Sequence, residues 1–206
     1  MTLPTQPKKL VVVGSGAIGV EFAYFYNAIG TEVTIVEYMP NIVPVEDEDV
    51  SKQLEKSFKK AGINVLTNAS VESVDTSGKG CVVSIKTAKG EEKIECDVVL
   101  SAAGVTTNIE NIGLEKLGVK TDRGCVVTDG LGRTNIPGIY AIGDVAGPPM
   151  LAHKAEHEGV ICVEGIKGLH VHPMDKSMIP GCTYCHPQVA SVGLTEAKAK
   201  EQGLSI

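Results

Sequence analysis

The sequence has no apolar run long enough to cross a membrane. Its longest stretch free of Asp, Glu, Lys and Arg, residues 177–195, holds Pro180, His186, Pro187 and several hydroxyls, which excludes a transmembrane helix. Positive charge is not in excess either. A net charge of −6 argues against nucleic acid or an anionic membrane as the main partner. Cysteine is present without a framework: six residues at uneven spacing in a 206-residue chain do not make a disulfide scaffold, and a reduced, cytoplasmic setting follows. A secretory signal is imitated by Lys8-Lys9 ahead of the apolar run from Leu10. Gly14-Ser15-Gly16 breaks that run and Glu21 stops it, so it reads as structure.

Glycine, by contrast, is abundant. The chain has 23 glycines, against a usual share of about 7%, and they follow no collagen-like period. Such an excess suggests tight turns and close approach of backbone to ligands. Residues 10–13 form a short apolar run flanked by turn formers, the pattern of a buried parallel strand. The helix expected next carries Ile18, Phe22, Phe25, Tyr26 and Ile29 on one face and stops at Gly30. Residues 33–36 read as the second strand, Asp47 as the opening of a second helix with stripe Val50, Leu54, Phe58 and Ala61, and Val65-Leu66 as the start of a third strand. This alternation predicts an α/β, Rossmann-like domain with a parallel sheet. Residues 70–96 change to strict alternation with a hairpin turn at Ala88-Lys89-Gly90, an antiparallel meander. Residues 98–100 return to a buried strand, so one domain is expected over 1–105. Residues 106–178 are loop-rich, with a strand expected at 139–141 and a helix at 152–166. A further segment, 179–206, opens strand-like and begins a helix at Thr195; it is too short for a core of its own and reads as truncated.

Gly14-Ser15-Gly16-Ala17-Ile18-Gly19 spells GxGxxG between a strand and a helix. In such a turn the first glycine shapes the bend, the second lets backbone approach a pyrophosphate, and the third lets helix and strand pack. Phosphate then meets the free N–H groups and positive dipole of the helix N-terminus. Glu37, at the end of the second strand, stands where an acid accepts both ribose hydroxyls. An acid there repels a 2′-phosphate, and Tyr38, Met39 and Pro40 add no cation, so NAD is expected over NADP.

Together with GxGxxG, the runs SAAG (101–104), TNIPGIYAIGD (134–144), MLAHKAEHEG (150–159) and TYCHPQVASVGLTE (183–196) occur in an order that resembles the flavin-dependent pyridine-nucleotide disulfide oxidoreductases. The resemblance covers nearly the whole chain. It implies an oxidoreductase that passes electrons from a dithiol through a disulfide and FAD to NAD, working as a homodimer. It further implies that Asp144 accepts a hydrogen bond from the FAD ribityl chain and that Ala152 lies at the flavin. By the same resemblance Val71 and Gly104 line the adenine and nicotinamide-ribose ends of the NAD site. Glu21 matches an acid near flavin and nicotinamide, although a helix-surface Glu reads the same way, and Val71 fits a plain strand core. Residues 1–105 are then an NAD-binding domain, 106–178 the returning part of an FAD-binding domain, and 179–206 the start of an interface domain.

The family's redox pair is Cys-x4-Cys, and no two of Cys81, Cys96, Cys125, Cys162, Cys182 and Cys185 have that spacing. A second GxGxxG for the ADP half of FAD is absent. So is the terminal His-Pro-Thr with its Glu, because His172-Pro173 and His186-Pro187 have Ser177 and Ser191 at that offset. Many relatives carry an Arg after the glycine where this chain has Val105-Thr106-Thr107-Asn108. The expectation is a chain that binds NAD but needs the missing FAD-domain and interface segments, in cis or trans, to turn over. The alternatives are a stand-alone NAD-binding or regulatory module, or part of another family member such as a mercuric reductase. Cys182-Thr-Tyr-Cys185-His186 spells a haem-attachment pattern, and with His170 and His172 nearby a zinc set, but inert thiols are the expected reading. His153 and His157 lie one helical turn apart without a third ligand, and no metal is expected.

Overall fold

Strand β1 (Lys9–Val13) is three consecutive valines behind a leucine, β-branched residues that suit a pleated, fully covered strand. In the computed structural model, which describes residues 3–206, β1 pairs in parallel with β2 (Glu32–Val36) and with β7 (Val98–Ser101), and β2 pairs with β3 (Asn64–Leu66). The sheet order is β3-β2-β1-β7. Alternate β1 residues serve opposite faces: Leu10 and Val12 join a core cluster with Val33, Ile35, Leu54 and Phe58, while Val11 joins a second with Val36, Val83 and Ile85.

Helix α1 (Ala17–Ala28) follows β1 through the glycine turn. Its buried residues are Gly19, Val20 and Ala23, and this corrects the expected face. Ile18, Phe25 and Ile29 are 47%, 52% and 46% exposed. The helix crosses the sheet so closely that a Cβ on Gly19 would lie 2.1 Å from the Gly14 carbonyl oxygen. Small residues therefore occupy the closest contact, Ile18, Phe25 and Ile29 turn away, and Tyr26 packs half-buried against the core. Helix α2 (Glu48–Lys60) starts after Asp47, with Glu48 and Asp49 in its first turn and Lys59 and Lys60 in its last, both signs favoured by the helix dipole. It buries Ser51, Leu54 and Phe58, while Val50 and Ala61 stay at the surface, a shift of part of the expected stripe.

A three-stranded antiparallel sheet, β4 (Ser70–Asp75), β5 (Cys81–Thr87) and β6 (Gly90–Cys96), lies between β3 and β7 in the chain. Ala88 and Lys89 form the tight loop between Thr87 and Gly90, whose φ of 123° requires glycine. The Asp97 carboxylate accepts the backbone N–H groups of Lys8 and Lys9 at 2.7 and 2.8 Å, fastening the meander's exit to the start of β1. Those two bonds, led by that from Lys9, hold its carboxyl below the usual range.

The chain forms two compact units, Met1–Gly104 with Pro180–Ile206, and Val105–Ile179. In the first unit the antiparallel pair β10 (Gly181–Thr183) and β11 (Val189–Ser191) joins the core of the parallel sheet, with Cys185 and Val189 in the cluster of β1 and β2. Ser191 Oγ donates to Glu46, and the Glu196 N–H donates to Asp47 at 2.7 Å. The short helix α5 (Glu196–Glu201) is capped by the Thr195 hydroxyl.

The second unit contains α3 (Leu114–Leu117), the two-residue strands β8 (Thr121–Asp122) and β9 (Cys125–Val126), a 3-10 turn at Gly143–Ala146 and α4 (Ala152–Lys167). The strand expected at 139–141 is not formed. A single bridge joins Arg133 to Tyr140, and the bonds Thr134 N–H to Ile139 and Ile139 N–H to Ile136 close a turn around Pro137 instead. An apolar run becomes a strand only where a partner pairs with it. Among the described residues no helix is long and apolar enough to cross a membrane.

Candidate dinucleotide site

Close backbone contacts at Gly14 and Gly19 leave no room for a side chain in the glycine turn. Gly14 has φ 95°, and a Cβ there would stand 2.5 Å from the Ala102 carbonyl oxygen of the turn after β7. At Gly16, in contrast, nothing lies within 4 Å of where a Cβ would be. That open space faces the start of α1, whose N-cap, Gly16, supplies no side-chain capping bond. An anion approaching Gly16 therefore meets unbonded helix N–H groups and the positive end of a twelve-residue helix. The residues present fit a pyrophosphate.

Ser15 is completely buried and Glu37 is 7% exposed. The Glu37 carboxylate accepts the Ser15 N–H at 2.8 Å and its hydroxyl at 2.6 Å through one oxygen, and the Met39 N–H at 2.7 Å through the other. Ser15 in turn gives its carbonyl to the Val43 N–H. The acid is thus fixed at the end of β2 beside the glycine turn, with acceptor capacity left for a further hydroxyl at Oε1. Sequence reading put Glu37 at this strand end; its bonds to Ser15 were not foreseen, and the signal for them is the hydroxyl between the two glycines.

Val71, in β4 opposite Ile85, packs against the second core cluster and is half-buried. Gly104 is exposed with φ 133° and no neighbour at its Cβ position. The Glu21 carboxylate accepts the Tyr184 N–H at 2.7 Å, a bond spanning 163 residues of sequence. The Cys185 thiol is pushed up to about 11 by burial and by the nearby Glu21.

In the second unit, Asp144 is exposed in the 3-10 turn, and Ala152 is exposed at the start of α4, where Leu151 provides no side-chain cap. An exposed carboxylate and an uncapped sixteen-residue helix suit, respectively, a ribityl hydroxyl and an electron-rich ring, so these residues fit a flavin. Lys154, which sequence reading passed over, organises this turn. It is 1% exposed and donates to the Gly143 and Gly147 carbonyls at 3.0 and 2.7 Å, with Glu158 at 3.4 Å. Glu158 accepts the Gly143 N–H at 2.7 Å. The available signal was a Lys–Glu pair at i, i+4 next to a Gly-Asp turn.

Cys182 is exposed on β10, whereas Cys185 is buried, its sulfur bonding the Pro187 carbonyl at 3.2 Å. The His170 and His172 rings stack edge to face with centroids 4.8 Å apart. Among the described residues, no three His, Cys, Asp or Glu side chains gather as ligands for a metal.

A dinucleotide turn with an anchored acid, an antiparallel meander before β7 and a Gly-Asp turn ahead of a long helix define a nucleotide-dependent oxidoreductase scaffold. Residues 1–159 match the pyridine nucleotide-disulphide oxidoreductase family, and residues 179–206 match that family's dimerisation domain. The chain belongs to this family. It is 60% identical to the dihydrolipoyl dehydrogenase of Rhizobium etli over 97% of its length and 42% of that protein's. With the Zymomonas mobilis dihydrolipoyl dehydrogenase it shares 53% identity over 98% of its length and 44% of the relative's. Among solved structures it resembles LpdA of Mycobacterium tuberculosis with a TM-score of 0.89 and 32% identity, over 98% of this chain and 44% of that one. The flavoprotein disulfide reductase RclA of Escherichia coli gives 0.88 at 26% identity, over 98% and 46%. The chain thus spans less than half the length of these relatives.

Proposed function

We propose that this chain is the NAD-binding portion of a dihydrolipoyl dehydrogenase-like flavoprotein, together with adjoining flavin-side and interface segments. In the complete reaction a dihydrolipoyl dithiol is oxidised to its disulfide while NAD⁺ becomes NADH and a proton is released. The relationship to the Rhizobium and Zymomonas enzymes supports the substrate class, and the dimerisation-domain match supports a homodimer. The observation that carries the nucleotide reading is the Glu37 carboxylate anchored beside the glycine turn.

In this reading Gly14, Ser15, Gly16, Ala17, Ile18 and Gly19 bind the pyrophosphate, with the α1 N-terminus neutralising its charge. Glu37 accepts the adenosine ribose hydroxyls and disfavours a 2′-phosphate by like-charge repulsion. Val71 flanks the adenine, and Gly104 leaves backbone room for the nicotinamide ribose. Glu21 lies on the nicotinamide and flavin side. Asp144 accepts from the ribityl chain, and Ala152 presents its N–H to the ring. FAD, when bound, relays an electron pair between the dithiol and the nicotinamide. The chain's own part is to bind, orient and discriminate nucleotides, since no Cys-x4-Cys pair is among its cysteines. Its six thiols, none in a disulfide, suit a reducing, cytoplasmic setting.

The test titrates the purified chain with NADH and NADPH by calorimetry and assays lipoamide-dependent NADH oxidation. The expected result is NADH bound at least about tenfold more tightly than NADPH, a difference of ~1.4 kcal/mol, with no turnover by the chain alone. Equal affinity for the two nucleotides overturns the specificity argument. Lipoamide turnover without a second polypeptide overturns the division of labour.

A further inference from the structure

Cys81 and Cys96 stand fifteen residues apart in sequence and carry no role in the dinucleotide site. The meander brings them together. The tight loop at Ala88-Lys89 pairs Thr87 with Gly90, and counting outward along the same register sets Cys81 directly opposite Cys96 at the far end of the hairpin. Directly opposed antiparallel residues have Cα atoms about 4.5–5.5 Å apart, inside the roughly 4.4–6.8 Å range that a disulfide spans. Two further observations place the thiols together. Both belong to the same core cluster, Cys96 buried in it and Cys81 packed against it. The strands also approach closely here, since a Cβ on Gly80 would lie 2.7 Å from the Cys96 carbonyl oxygen.

The pair is reachable. Cys81 and Cys96 both line an open cavity of about 420 Å³ together with Lys9, Lys79, Asp75 and Asp97. Cys81 is half-buried, and its sulfur makes a weak contact, 3.9 Å, with the Asp97 carbonyl. Burial, followed by the neighbouring Cys81, pushes the Cys96 thiol up, so Cys81 is the sulfur that meets an incoming reagent first.

We propose that Cys81 and Cys96 form an oxidisable dithiol, separate from the family's redox cysteines, that hydroperoxides close to a disulfide across β5 and β6. In the first step the Cys81 sulfur attacks a peroxide oxygen. The O–O bond breaks, Cys81 becomes a sulfenic acid and, with hydrogen peroxide as oxidant, one water leaves carrying the thiol proton. In the second, the Cys96 sulfur attacks the Cys81 sulfur. The S–S bond forms, the S–O bond breaks, and the departing hydroxide takes the Cys96 proton as a second water. Two thiols and one hydrogen peroxide thus give one disulfide and two waters. A dithiol reductant reverses the product by exchange.

The experiment treats the purified chain with millimolar hydrogen peroxide, blocks remaining thiols with N-ethylmaleimide under denaturing conditions, and maps peptides by mass spectrometry. The expected product is a Cys81–Cys96 cross-linked peptide 2 Da lighter than its reduced components, absent after dithiothreitol and absent in Cys81→Ser. In that variant Cys96 is expected to be recovered alkylated. A Cys81→Ala variant, its fold checked by circular dichroism, serves the same purpose if the serine is not accommodated. Recovery of both Cys81 and Cys96 as alkylated thiols while Cys182 is oxidised overturns the proposal. So does cross-linking of either residue to any other cysteine. Neither outcome depends on nucleotide binding.

Discussion

Removing the Glu37 carboxylate tests whether nucleotide choice and loop stability share one group. Glu37→Ala takes away the acceptor for the Ser15 N–H, the Ser15 hydroxyl and the Met39 N–H together. Ser15 is completely buried, so its donors have no ready substitute except water entering from the nucleotide cleft. Each hydrogen bond to a charged group is worth ~1.5–3 kcal/mol, but three bonds to one carboxylate are not additive and water recovers part of the loss. A net destabilisation of about 2–4 kcal/mol follows, which for a chain of this size lowers Tm by roughly 5–15 °C. Glu37→Gln retains an oxygen for Ser15 but turns an NH₂ toward the Met39 N–H, so its loss is ~1–2 kcal/mol. The two variants and the parent are compared by thermal circular dichroism and by calorimetric titration with NADH and NADPH. The ordering parent, Gln, Ala is expected in Tm, and the preference for NADH is expected to shrink by at least about tenfold in the alanine variant. If Glu37→Ala melts within about 1 °C of the parent, the three bonds contribute nothing and the stability argument fails.

Lys154→Met is expected to destabilise the unit formed by residues 105–179 by about 3–5 kcal/mol, because it strands two carbonyls and leaves Glu158 without its buried cation. Urea unfolding with limited proteolysis checks this, with the last-turn substitution Lys167→Met as the neutral control. Cys185, its thiol raised to about 11 by burial and Glu21, is expected to resist N-ethylmaleimide at pH 8 in the folded chain while the exposed Cys182 reacts. The sign for stability follows from the same shift. With the folded value above the ordinary value of 9.0, the folded chain holds a proton that the unfolded chain releases. Stability is unaffected by this group below about pH 9 and falls as pH rises toward about 11. A Cys185→Ala variant is expected to flatten that part of the pH profile.

The parallel strands, the glycine turn and the acid at the end of β2 were legible because short apolar runs and fixed spacings are local signals. The buried face of α1 was not. Periodicity weights the bulkier Ile18, Phe25 and Ile29, whereas close packing of the helix selects the smaller Gly19, Val20 and Ala23. The strand expected at 139–141 failed for a different reason: strand formation belongs to a pair, and apolar composition alone does not name the partner. Lys154 was missed because a lysine on a helix reads as solvated until the carbonyls around it are known. The Cys81–Cys96 pairing, by contrast, was within reach of arithmetic once the hairpin turn at Ala88-Lys89 was recognised, since both lie equally far from it.

The long-range attachments of β10, β11 and α5 have a consequence for the order of events during synthesis. Cys185 and Val189 complete a cluster whose other members lie within residues 10–65, and Glu46 and Asp47 receive bonds from residues 145 and 149 positions later. The first unit is therefore not closed when its nucleotide turn has emerged. At about 5–20 residues per second, the intervening chain takes several seconds or more to be made. For that interval the face that accepts Cys185 and Val189 stands open on a nascent polypeptide, a window in which chaperones or a neighbouring chain compete with the native segment for the same surface.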